Sequence, residues 1–228
     1  MELRKASAIH DDMSIENISH SVPATHGQLK APHFTVKSLV KPGVFVLLGL
    51  PFVWLVFALL SNRLGANPIE AVTDFTGEWA LRMLMLSLAM TPLRMLFRKP
   101  WPIRYRRMIG LYAFFYVFTH LLTYVVLDQQ LDVAAIFADV FERPYITAGT
   151  VAFLILLPLA LTSTKGMMKR LGKRWLSLHK WVYVAAAAAV LHYIWLARGD
   201  RLEPFVYLGI LLVLMAFRAK KWLARKKA

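Results

Sequence analysis

Polar and apolar positions divide the chain into two unlike parts. Residues 1–40 contain almost no apolar run. From residue 41 onward six apolar segments follow, at 43–61, 79–97, 107–127, 145–163, 175–197 and 204–220. A spanning helix needs roughly 20 mostly apolar residues, and each segment meets or approaches that length. Pro51, Pro92 and Pro158 fall inside three of them, where a membrane helix accommodates proline with a local kink. The alternating-polarity stretches of ~10 residues that mark a membrane barrel are missing from the pattern. The pattern predicts an all-α, polytopic integral membrane protein. Its six-transmembrane-helix bundle covers 41–220, between a polar, disordered tail at 1–40 and a basic tail at 221–228.

Composition agrees. Of the 228 residues 58% are hydrophobic and 18% charged, against about 45–50% and ~25% in soluble domains. That leaves too little polar surface for an ordinary cytosolic enzyme. With no cysteine in the chain, a disulfide framework, an iron–sulfur cluster, a thiolate zinc site and covalent c-type haem are excluded. The tail holds His10, His20, His26 and His33, which read as solvated polar residues. It has no apolar core of a signal peptide after its first basic pair.

The formal charge of +15 is explained by where the charges lie. One cluster is Arg94, Arg98, Lys99, Arg104, Arg106 and Arg107; a second is Lys165, Lys169, Arg170, Lys173 and Arg174. A third is Arg218, Lys220, Lys221, Arg225, Lys226 and Lys227. The other three connectors hold Glu70, Asp74, Glu78, Asp128, Asp132, Asp139, Glu142, Asp200 and Glu203. Lys and Arg concentrate on the cytoplasmic side, so both termini are expected inside and the acidic loops outside. The basic balance is a topology signal in contact with the lipid bilayer, and no nucleic-acid partner is needed.

Three histidines remain in the membrane portion: His120 in the third segment, His179 and His192 in the fifth. Ionisable side chains at membrane depth are costly and usually functional; the plainer reading is an interhelical hydrogen bond worth ~0.6–2 kcal/mol. At 1.5 Å per residue, His120 lies about 20 Å and His192 about 25 Å from the cytoplasmic ends of their helices. The two can therefore face each other in the outer half and serve as axial ligands of a six-coordinate haem iron, whose task is electron transfer. His179, about 20 Å deeper toward the cytoplasm than His192, has no histidine partner at its depth. Arg106 stands there instead, suited to a haem propionate or a flavin or lipid phosphate. Arg82, near the outer end of the second segment, can snorkel outward or neutralise a propionate. The competing function is a transporter or assembly factor that uses the histidines as a proton relay or packing contacts.

RRMIGL (106–111), THLLTY (119–124), RPYITAG (143–149), LTSTKGMMKRLGKRW (161–175), LHKWVYV (178–184) and LHYIW (191–195) resemble one family. MTPLRM (90–95) and LGANPIEAVTDFTGEWALR (64–82) fit the same pattern. That family is MsrQ, also called YedZ, in the ferric-reductase-like transmembrane group, and the likeness covers roughly 41–222. The resemblance implies a multi-pass cytochrome of the bacterial inner membrane with haem b, one or two, and FMN. It implies an electron-transfer subunit that draws on the quinone pool or a cytoplasmic flavin reductase. The acceptor it implies is a periplasmic MsrP-like molybdopterin methionine sulfoxide reductase, in the repair of oxidised proteins. The family's ligand histidines match His120, His179 and His192, and its inner arginine matches Arg106. No glycine-rich dinucleotide loop follows the sixth segment, so the donor is expected to be a quinol or a separate protein.

Overall fold

The computed structural model describes residues 36–197 and 201–227. They form helices α1 (Val36–Leu60), α2 (Pro68–Phe97), α3 (Trp101–Leu122), α4 (Val133–Glu142), α5 (Pro144–Leu161), α6 (Lys165–Leu171), α7 (Lys173–Leu178), α8 (Val182–Leu196) and α9 (Glu203–Lys227). A π-helical stretch, Thr123–Asp128, extends α3, and a 3-10 turn, His179–Trp181, joins α7 to α8. No strand occurs among the described residues. Of the tail expected at 1–40, residues 1–35 lie outside the described residues, as do its histidines; α1 already begins at Val36. At the other end α9 continues to Lys227, because alanine, leucine, lysine and arginine are strong helix formers.

Local chemistry sets the helix starts. The Asn67 side chain accepts from the Glu70 N–H and Pro68 opens α2; Asp132 accepts from the Ala135 N–H ahead of α4; Thr164 accepts from the Met167 N–H ahead of α6. Each satisfies an N–H that the first turn leaves without a partner. α2 is 30 residues long, beginning eleven residues before the apolar segment, because its acidic first turns look like a loop in a hydropathy pattern.

Among the described residues, four helical stretches are long and apolar enough to cross a membrane: Val40–Leu60, Pro68–Phe97, Trp101–Asp128 and Pro144–Leu161. The fifth expected segment is divided at His179–Trp181, which leaves α8 only 15 residues, and α9 carries charge at both ends of its apolar stretch.

Two helix pairs dominate the packing, α2 along α3 and α5 along α8. The core between them includes Leu88, Tyr116, Ala185, Ala186 and Val190, all essentially inaccessible. The alanine run of α8 thus serves close packing, as small residues do between membrane helices. Apolar side chains such as Val53, Trp54, Leu154 and Leu212 stay exposed on the outside of the bundle, the surface that lipid would solvate.

Candidate functional site

His120 and His192 come together from different helix pairs. Their ring centroids are 6.1 Å apart with planes at 77°. His120 Nδ1 donates to the Thr73 carbonyl on α2 at 3.0 Å, and His192 Nδ1 donates to the Tyr145 carbonyl on α5 at 2.6 Å. A carbonyl can only accept, so each Nδ1 carries the proton and each Nε2 keeps a free lone pair. The Thr76 hydroxyl, fully buried, lies 3.5 Å from His120 Nδ1 and donates to the Val72 carbonyl.

Each ring lies against a glycine. A Cβ added at Gly77 would stand 3.1 Å from His120 Cε1; one added at Gly149 would stand 3.0 Å from His192 Nδ1. Three residues beyond His120 the helix widens into its π-helical stretch, a local irregularity frequent at functional sites.

These residues fit haem: with ring centroids 6.1 Å apart and both Nδ1 protons committed to carbonyls, His120 and His192 would hold its iron through Nε2. Ligating imidazoles characteristically donate their second N–H to a carbonyl or carboxylate, as both do here. No group of three or more His, Cys, Asp or Glu side chains converges among the described residues, so a pair of ligands is the arrangement on offer.

His179 is apart from this pair. Its Nδ1 donates to the Trp175 carbonyl at 3.1 Å, and its Nε2 lies 3.3 Å from Ser163 Oγ. The Trp175 ring stacks on it at 3.8 Å, while Trp175 Nε1 donates to the Thr162 carbonyl. Ser163 Oγ directs its one proton to the Leu159 carbonyl at 2.6 Å. Arg106 is half-buried, and its carbonyl accepts from Ser87 Oγ. A 3-10 turn begins at His179, between α7 and α8. Arg82 is engaged with Glu78, one turn before it, and lies over the Trp79 ring at 5.1 Å.

The sequence pattern missed Thr73, Tyr145, Gly77 and Gly149. The carbonyls are invisible because every residue has one; the glycines, each four positions after a supporting carbonyl, were the available signal.

Residues 76–190 of this helical core, which carries the two facing imidazoles, match the family described as ferric reductase like transmembrane component. Within that class the chain belongs to the MsrQ family. It is 50% identical over 186 residues to the protein-methionine-sulfoxide reductase heme-binding subunit MsrQ of Rhodospirillum rubrum, covering 81% of this chain and 89% of that protein. To the subunits of the same name from Herminiimonas arsenicoxydans and Xanthomonas axonopodis pv. citri it is 47% identical, over 83% and 79% of this chain and 89% and 83% of theirs. No solved structure matches the chain.

Proposed function

We propose that the protein is the haem-binding membrane subunit of a methionine sulfoxide reductase system. It carries electrons from the quinone pool, or from a cytoplasmic flavin reductase, to a periplasmic molybdopterin reductase. The observation that carries this reading is the His120–His192 pair, 6.1 Å apart with both Nδ1 protons committed to carbonyls. Bound between those imidazoles, haem b supplies one-electron chemistry. The chain's part is to hold both rings in one tautomer, so that His120 and His192 would hold the iron through Nε2. His179 and Arg106 are assigned to the inner site, for a second haem or another redox group. Arg82, shared with Glu78, is the positive charge offered to a propionate at the outer end. The FMN assignment rests on the family resemblance alone.

Six crossings of the inner membrane with both termini cytoplasmic suit the charge distribution. Two basic connectors meet where Arg107 Nη1 contacts Met168 Sδ at 3.0 Å. Acidic residues cluster elsewhere, where Arg201 pairs with Asp74 at 3.6 Å and Tyr193 donates to Glu203. Detergent-purified protein is expected to give a reduced b-type α band and a pyridine haemochrome. His120→Ala and His192→Ala should each abolish the low-spin signal while the protein stays inserted. A colourless parent preparation, or full haem with an unchanged spectrum in both variants, would favour the transporter or assembly reading.

A further inference from the structure

The two supports are built to one plan. Each histidine lies 47 residues after the carbonyl it donates to, and in both cases a glycine stands four residues after that carbonyl, against the ring. Four residues is one helical turn, so the glycine sits directly above the accepting carbonyl on the same face of its helix. A methyl group there would occupy the space through which the imidazole reaches the carbonyl. The ring cannot simply withdraw, because its Nδ1–H is fixed at 3.0 Å in one case and 2.6 Å in the other.

We propose that Gly77 and Gly149 are positioning residues that act through His120 and His192. By leaving the Thr73 and Tyr145 carbonyls open to the rings, they fix the Nδ1–H tautomers and strengthen Nε2 as a donor. The proposal rests on the axial-ligand reading given above. A carbonyl that draws on the Nδ1 proton makes the imidazole more basic, and a more basic ligand favours ferric over ferrous iron. Loss of either contact should therefore raise the midpoint potential and loosen the haem.

The experiment compares Gly77→Ala and Gly149→Ala with Gly209→Ala, whose added Cβ meets nothing within 4 Å, in intact detergent-purified protein. Expected are a higher midpoint potential, altered low-spin EPR g values and haem affinity lower by roughly 10- to 100-fold in the first two variants. Gly209→Ala should match the parent. Parent-like potential, g values and affinity in both site variants would overturn the proposal. A parent protein without a bis-imidazole EPR signal would instead sink the ligand reading on which it rests. Should the alanine variants fail to accumulate, ENDOR on the parent decides. Hydrogen-bonded Nδ1 protons on both axial rings, slow to exchange into deuterated buffer, support the proposal; protons that exchange within mixing overturn it.

Discussion

Arg218 Nη2 donates to the Leu88 carbonyl at 2.6 Å across a separation of 130 residues. Pro92, four residues after Leu88, has no N–H to give it. The Leu88 carbonyl thus lacks its helical donor, and Arg218 on α9 supplies one. Arg218 is also held by the Tyr183 hydroxyl through Nε and lies over that ring at 4.9 Å.

Replacing Arg218 by Met strips that carbonyl of its donor inside the bundle. A hydrogen bond from a charged donor contributes about 1.5–3 kcal/mol, so thermal unfolding in detergent should show a loss of that order. Pro92→Ala restores the helical N–H, and the double variant should lose clearly less than the two single effects combined. Strict additivity in the cycle would mean that Pro92 and Arg218 are not coupled through Leu88.

His179→Ala tests the inner site. In inside-out vesicles, reduction of the outer haem from the cytoplasmic side should slow several-fold. Reoxidation by the periplasmic partner should stay at the parent rate, since His120 and His192 are untouched. Stopped-flow absorbance follows both steps. An unaltered reduction rate would leave His179 a packing residue, held by the Trp175 carbonyl and ring.

α4 is tied to the end of α3 by one buried carboxylate. Asp139 accepts from the Tyr124 hydroxyl at 2.7 Å and from Gln129 Nε2 at 3.3 Å, and pairs with Arg143 Nε at 2.9 Å. Asp139→Ala should cost about 2 kcal/mol, chiefly through the Tyr124 bond, and expose 129–143 to protease. Arg143→Ala should cost under about 1 kcal/mol, because its side chain is 53% exposed and solvent screens the pair. Equal protease sensitivity in the two variants would contradict this ranking.

Arg82 gives a prediction of opposite sign to the glycine variants. Its pair with Glu78 is partly exposed, so Arg82→Gln should change stability by less than about 1 kcal/mol. Removing a positive charge beside a propionate disfavours the electron-rich ferrous form, so redox titration should find a lower midpoint potential. An unchanged potential would confine Arg82 to its contacts with Glu78 and Trp79.

Much of this was legible in the sequence, for identifiable reasons. The apolar runs that became α1, α3 and α5 are set by hydrophobic length alone. The approach of the His120 and His192 rings follows from depth arithmetic, because two helices entering from one side bring residues at similar rise to one level. The first turns of α2 were not legible: Glu70, Asp74 and Glu78 make them polar, and capping by Asn67 outweighs hydropathy there. The break at His179–Trp181 was hidden because a 3-10 turn uses the same residue types as a helix. The supports of the histidines are backbone groups, which one-letter patterns do not distinguish.

The repeated 47-residue spacing bears on how such a chain is made. Acceptor carbonyl, clearance and imidazole of the first support all leave the ribosome within one stretch, before any of the second is synthesised. The second is equally self-contained. Neither ring waits for the other half of the molecule to set its proton, and only the meeting of the two rings needs both halves in the membrane. A haem held by both rings would need α2, α3, α5 and α8 all in place, whereas each ring's hydrogen bond needs only its own helix pair.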